Sequence, residues 1–341
     1  MPTMNDPSTD PLTETTMRAV TQRAYGSADT LEVTSVDRPT IADDEVLIGV
    51  EAAGLDRGVW HLMTGMPYLI RIMGYGLTKP KNPVPGMDVA GRVVEIGRDV
   101  TRFAVGDDVF GIGTGTFAEF AAAKESKLVH KPDTVTFEHA AASTISGITA
   151  LQALTTVGRL EAGQHVLVIG ASGGVGSFTV QLAKALGATV TGVASTAKLD
   201  AVRSLGADHV IDYTTRQIDD GDQQYDLIID TGGRNKLSRL RRALTPTGTL
   251  VIVGGEDGDR LTGGIGRQLR AALLSPFVQQ RLTFFVSSES LDYMEPLAAH
   301  LADGTVTAAI GQRFDLEEAP AAIAAMEAGT LTNKAVISVK P

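Results

Sequence analysis

Three glycines spaced Gly170-x-x-Gly173-x-x-Gly176 carry the clearest chemistry in the chain. From Gly170 to Gly176 there is almost no side-chain bulk, so backbone N–H groups at the start of a following helix can approach an anion. A pyrophosphate fits such a turn, cradled by Gly170, Ala171, Ser172, Gly173, Gly174, Val175 and Gly176. The spacing departs from G-x-G-x-x-G because Ala171-Ser172 stand where the second glycine usually falls. A tight turn that only lets a helix pack on a sheet is the competing reading; the strand–turn–helix context favours nucleotide binding. A second cluster lies where a site for NAD places Asp or Glu to bond the ribose 2′-hydroxyl. From Gly187 through Leu199 no acid occurs, and Ser195, Thr196 and Lys198 stand there instead. Two hydroxyls and a cation suit a 2′-phosphate, so the expected cofactor is NADPH rather than NADH. For Lys198 the alternative is a solvated helix start.

These groups need a strand that ends before Gly170 and a helix that begins beside Gly174. His165–Ile169 supplies a short apolar, β-branched run of the kind a buried parallel strand shows. Val175, Phe178, Val180, Leu182, Ala183 and Leu186 form an apolar face at helical spacing, stopped by Gly187. The alternation continues with strands at 189–194, 209–213, 225–230 and 249–254 and helices at 198–205 and 236–244. That pattern predicts a doubly wound parallel sheet. Upstream, Met17–Thr21, Leu31–Val36 and Glu45–Ala53 read as short strands separated by turns. Asp56–Tyr75 reads as a loop or short helix, Phe117–Phe120 as the start of a strand, and Ala140–Leu154 as a helix. Downstream, helices are expected around Arg267–Leu274 and at Leu291–Ala302 and Ala319–Glu327. Strands are expected at Arg281–Val286, Phe314–Leu316 and Ala335–Val339, the last returning to the N-terminal half. Residues 1–15 are polar and Pro- and Thr-rich and are expected to form a disordered tail.

Composition narrows the function. A formal charge of −10 argues against nucleic acid as a partner. With no cysteine there is no disulfide, thiolate zinc site or thiol nucleophile. The N-terminus carries no basic residue before Arg18 and no apolar core, and Ala140–Gly158 is too polar for a membrane span. A soluble cytoplasmic protein without a membrane or nucleic-acid partner is the expectation.

Nine collinear segments then resemble one family. They are Ala52–Gly54, Pro85–Gly91, Gly106–Val109, Thr116–Phe120, Gly147–Leu151, Gly170–Gly176, Leu205–Tyr213, Arg242–Leu250 and Asn333–Ala335. The chain resembles the medium-chain dehydrogenase/reductase superfamily in its zinc-free quinone oxidoreductase branch, from about Met17 to the C-terminus. The resemblance implies an α/β protein with a GroES-like β-rich substrate domain (16–140 and 310–341) and a Rossmann domain of doubly wound parallel sheet (141–309). It implies that catalytic zinc ligands would fall at Asp56, Met87 and Ile145, a set that cannot hold Zn²⁺. Quinones and α,β-unsaturated carbonyls accept hydride from NADPH without a metal, so one of these is the expected small-molecule acceptor. The alternatives are a zinc-independent alcohol or carbonyl dehydrogenase, an enoyl reductase, or a non-catalytic NADPH-binding redox sensor.

The resemblance also implies site roles. Asp56 stands where Asn is usual beside the nicotinamide, with a surface pair to Arg57 as the alternative. Thr149 matches a threonine on the nicotinamide side, with a hydroxyl bonded to its own helix as the alternative. Tyr213, with a core tyrosine as the alternative, joins Gly254, Asn333 and Lys334 in the cofactor-binding set, although Asn333 replaces a usual Gly. Trp60, Met66, Tyr68 and Tyr75 are candidates for the substrate slot, with core packing as the alternative. From its place in the Asp56–Tyr75 loop, His61 is the histidine placed to give a proton, with a structural histidine as the alternative. A homodimer or homotetramer is expected through an edge strand at Arg281–Val286.

Overall fold

The computed structural model describes residues 15–254, 263, 265–331 and 333–339. The tail expected over 1–15 therefore lies outside the described residues, Thr15 excepted. The chain opens on the strands β1 (Thr16–Gln22), β2 (Leu31–Asp37) and β3 (Glu45–Leu55). Helix α1 (Arg57–Thr64) follows, then β4 (Asp88–Ile96), β5 (Asp108–Ile112), β6 (Phe120–Lys124) and β7 (Leu128–His130). Helix α2 (Phe137–Gln152) leads into β8 (His165–Ile169), α3 (Gly174–Ala185), β9 (Thr189–Ala194), α4 (Leu199–Ser204) and β10 (His209–Asp212). Next come β11 (Tyr225–Asp230), α5 (Leu237–Ala243), β12 (Leu244–Ile252), α6 (Ile265–Leu274) and β13 (Arg281–Phe284). The chain ends with α7 (Leu291–Ala302), β14 (Ile310–Asp315), α8 (Ala319–Glu327) and β15 (Lys334–Ser338).

Six parallel strands order as β10-β9-β8-β11-β12-β13. In local count this is 3-2-1-4-5-6, the dinucleotide-binding order, whose switch point lies between β8 and β11. Val166–Val168 on β8 and Leu227–Ile229 on β11 are buried on both faces, which is why these runs read as continuous apolar segments rather than alternating ones. The second sheet orders as β14-β15-β3-β4-β5-β7, with β6 also on β3. The length of β3 makes this possible: Glu45–Gly49 pairs with β6 and Ala52–Leu55 with β15. The last strand thus returns to the N-terminal half.

Helix α2 joins the two sheets. Thr136 caps it by accepting from His139 N, and its run of Ala, Ser, Thr and Gly is buried from Ala140 through Thr144 and from Ser146 through Gln152. Small side chains let β3, β4, α3 and α7 all approach it; a Cβ on Gly147 would already lie 2.7 Å from Leu297. Several expected bounds shift, among them the strand expected at 249–254, which runs Leu244–Ile252. The strand foreseen at Phe117 begins at Phe120, because Ala118 meets only Ala19 through a single bridge. The strand foreseen at Phe314–Leu316 runs Ile310–Asp315 with alternating exposure, and Leu316–Glu318 turns into α8. The edge strand ends at Phe284 instead of Val286, which is 84% exposed.

Candidate active site

At the switch point the Gly170–Gly176 turn is fixed by sterics. Gly170 has φ +80°, and a Cβ on Gly176 would lie 2.0 Å from Gly170 O. Helix α3 starts at the N-cap Gly173 with no side chain bonded to its first N–H groups, leaving a positive helix end open. In front of it is a cleft of about 480 Å³ lined by Gly170, Ser172, Gly173, Ser195, Lys198 and Tyr213 among the expected residues. Gln217, Arg234, Asn235 and Arg239 line it too and were not singled out from the sequence; Arg57, expected only as a surface partner of Asp56, also lines it. Ala171 is buried beneath the turn, and Val175 packs on the core. Thr196 does not line this cleft; its hydroxyl donates to Asp212 Oδ2 and meets Thr214 Oγ1. Gly254 lies outside the lining as well: its N–H bonds Asp230 O, and its own O accepts from Arg267. These residues fit a dinucleotide: bare backbone donors for a pyrophosphate, and Ser195 and Lys198 beyond them.

Behind the turn, α2 and the two chain ends meet in a buried polar floor. Lys334 is 2% exposed, and its Nζ donates to Leu55 O at 3.1 Å and to Ser146 Oγ at 3.2 Å. A Cβ on Gly174 would touch Ser146 Oγ and Lys334 Cδ, so this ammonium lies against the first turn of α3. Its neighbour Asn333 has φ +60°, the left-handed region where Asn and Gly are tolerated. Asp88, fully buried, accepts from Ile145 N at 3.1 Å through Oδ1, while Oδ2 has no hydrogen-bond partner among the described residues. Burial, and then the neighbouring Asp56 carboxylate, push Asp88 well above the usual carboxylate range; the Lys334 ammonium and the Ile145 N–H oppose this. An acid opening the apolar run Asp88-Val-Ala-Gly is a signal that sequence reading could have used.

Asp56 caps α1, its Oδ1 accepting from Gly58 N at 2.6 Å and Val59 N at 3.2 Å, while Oδ2 is buried without a hydrogen-bond partner among the described residues. Asp56→Ala is therefore expected to lower stability by about 1 kcal/mol through the lost cap, whereas Asp56→Asn retains it; thermal unfolding of the two variants checks this. Thr149 donates to Ser287 Oγ at 3.0 Å rather than to its own helix. One turn on, Gln152 exchanges two hydrogen bonds with the Ser288 backbone and also reaches Ser287. Together they pin segment 287–288 over the floor.

A second cavity, of about 610 Å³, opens beside this floor. Val59, Leu62, Met63, Val84 and Met87 give it apolar walls, while Gln22, Lys127 and Glu289 give it polar ones. Lys127 and Glu289 form an ion pair across the cavity wall. Of the four expected slot residues, Tyr75 lines this cavity. Trp60 is held away by its indole N–H, which donates to Glu327 on α8 at 2.9 Å. Met66 presents its carbonyl to His61 Nδ1 at 2.8 Å, and Tyr68 is exposed beneath Arg71. Since a carbonyl accepts, His61 Nδ1 carries the hydrogen, and the ring does not line the cavity.

The donor set at the positions implied for zinc does not fit that metal. Asp56 commits one oxygen to a helix cap, Met87 and Ile145 offer a thioether and a hydrocarbon, and the chain has no thiol. Among the described residues no three His, Asp or Glu side chains are grouped to hold a metal ion.

Comparison with known proteins agrees with this architecture. The alcohol dehydrogenase GroES-like domain family matches residues 42–133, and the zinc-binding dehydrogenase family matches residues 205–337. A chloroplastic quinone oxidoreductase of Triphysaria versicolor is 33% identical over 94% of this chain and 98% of its own length. A 2-methylene-furan-3-one reductase of Solanum lycopersicum is 31% identical over 95% of this chain and 80% of its own. The structure of the quinone oxidoreductase from Coxiella burnetii superposes with a TM-score of 0.81 at 25% identity, covering 95% of this chain and all of that one. Fold and site define a two-domain oxidoreductase of the kind that binds a nicotinamide cofactor. The chain belongs to the medium-chain dehydrogenase/reductase superfamily, in its quinone oxidoreductase-like branch.

Proposed function

We propose that this protein is an NADPH-dependent, zinc-independent reductase that delivers hydride to a quinone or an α,β-unsaturated carbonyl. The observation that carries the reading is the apolar-walled cavity of about 610 Å³ set beside the Asp56–Asp88–Lys334 floor, where Asp56, Met87 and Ile145 offer zinc no fitting donor set. An acceptor that is already electrophilic needs orientation and a dry slot rather than a Lewis acid. The relatives named for quinones and for a methylene-furanone, itself a conjugated enone, support that acceptor class.

In this reading the bound nicotinamide supplies the hydride, and water supplies the proton that completes the reduction. The backbone of Gly173–Gly176 receives the pyrophosphate, with the Lys334 ammonium adding positive charge behind it. Met63, Val84 and Met87 exclude water from the acceptor, and Gln22, Lys127 and Glu289 orient its oxygen. Ser195 and Lys198 receive the 2′-phosphate. We assign residues 16–140 with 310–341 to the substrate domain and 141–309 to the cofactor domain. Self-association through β13 is supported by its place at the sheet edge and by the exposed apolar side chains of Leu269, Leu273 and Phe277.

The test is NADPH consumption with an ortho-quinone and with a simple enone, each repeated with NADH and with a chelator. Turnover that prefers NADPH and survives the chelator is the expected result. NADPH binding without consumption by either acceptor would overturn the reductase reading in favour of a redox sensor. Exchanging Ser195 and Lys198 together for Ala is expected to weaken NADPH binding by roughly tenfold or more, the loss of a charge-assisted contact, and to leave NADH binding nearly unchanged. Equal losses for both cofactors would refute the 2′-phosphate assignment.

A further inference from the structure

The segment from Arg57 to Met87 contains no Asp or Glu, in a chain whose formal charge is −10. Its outer part also exposes apolar side chains that a soluble surface normally withdraws: Ile72 is 74%, Met73 65% and Leu77 71% exposed, with Tyr68 and Leu69 beside them. These residues are held outward by a framework. The Tyr25 hydroxyl bonds Gly76 O at 2.7 Å and Tyr75 O at 3.0 Å. Arg71 donates to Gly65 O at 3.0 Å and lies over the rings of Tyr25 and Tyr68. Lys81 N closes the turn on Tyr75 O at 2.9 Å. At the rim, Lys79 and Lys81 are exposed and make no ion pair among the described residues.

We infer that this loop is a docking surface for an anionic lipid membrane, with Ile72, Met73 and Leu77 entering the interfacial layer and Lys79 and Lys81 meeting headgroup phosphates. Exposed aliphatic side chains beside basic ones are what interfacial binding requires. Charge decides against a second copy as the occupant. A two-fold contact through this face would oppose the same acid-free segment to itself, bringing lysine against lysine. A negatively charged lipid surface supplies the counter-charge that the segment lacks. Gly74, Tyr75, Pro80 and Lys81 also line the 610 Å³ cavity, so docking turns its mouth toward the lipid. Entry of a lipid-dissolved acceptor would follow, a consequence that rests on the reductase reading; the docking itself does not.

The experiment is co-sedimentation of the full chain with vesicles of phosphatidylcholine mixed with phosphatidylglycerol, and with phosphatidylcholine alone. Binding to the mixed vesicles is expected to be about tenfold stronger or more, from two lysines near an anionic surface, and to weaken as salt is raised. The triple variant Ile72→Ser/Met73→Ser/Leu77→Ser should lose this binding, and Lys79→Glu should weaken it. Val105→Ser, at an exposed valine in the turn before β5, should bind as the parent does. These are surface changes, and thermal unfolding verifies that the variants are folded. No binding to either vesicle, equal binding to both, or retained binding by the triple variant would overturn the proposal. A change in solution mass caused by the triple variant would also overturn it, showing that the face is a contact between copies.

Discussion

Gly176→Ala is expected to weaken NADPH binding on the order of hundredfold, the scale set by displacing a positioning element by about 1 Å. The added Cβ would lie 2.0 Å from Gly170 O, 2.8 Å from Gly170 C and 2.9 Å from the Ala171 Cα. All three are backbone atoms of the very turn that presents its N–H groups to the pyrophosphate, so no rotamer change relieves the clash. The first turn of α3 must move off β8 and take the anion site with it. Overpacking of this kind also costs about 1–3 kcal/mol of stability. Gly266→Ala is the control, because its Cβ would meet nothing within 4 Å among the described residues and it lies inside α6. That variant should bind NADPH as the parent does and unfold at the same or a slightly higher temperature. Fluorescence titration with NADPH together with thermal unfolding reads both effects. A Gly176→Ala chain that binds and melts like the parent would refute the close-packed turn.

What the chain discloses before folding is set by the range of the interactions involved. The cofactor half was legible because its signals are local: an apolar strand, a bulk-free turn and a helical stripe succeed one another within a few residues. The pairing of β15 with β3 and the meeting of Lys334 with Ser146 and Leu55 join distant parts of the chain, and no periodicity encodes them. Trp60 shows the same limit in one side chain. An aromatic residue in a slot-forming loop suggests a substrate wall, yet its N–H is spent on Glu327 from the far end of the chain. Thr196 looked available for a phosphate because β9 and the turn after it lack an acid. The acid arrives from the next strand, where Asp212 takes its hydroxyl. Asp88 was visible as an acid in an apolar run, but its company was not: Asp56, Lys334 and Ile145 come from three separate elements.

That company gives variants at Asp88 and Lys334 a large expected effect. Lys334→Met removes a buried ammonium that bonds Leu55 O and Ser146 Oγ, and is expected to cost about 1–3 kcal/mol, the scale for leaving buried acceptors without their donor. Asp88→Asn acts differently. The amide oxygen can still accept from Ile145 N, while the titrating group is gone. In the parent, burial and Asp56 raise the folded-state pKa of Asp88, so the folded chain holds a proton that the unfolded chain releases above about pH 4. Asp88 therefore lowers stability progressively as pH rises from about 4, until the folded-state value is passed. Asp88→Asn removes this loss, so its melting temperature relative to the parent should climb between acidic and alkaline pH. In the double variant Lys334→Met/Asp88→Asn, methionine no longer leaves an unopposed carboxyl behind, and the combined cost should fall below the sum of the single costs. Parallel pH profiles for Asp88→Asn and the parent would refute the raised carboxyl. Strict additivity in the double variant would show that the two buried groups do not communicate, and the polar floor would then reduce to two independent packing contacts.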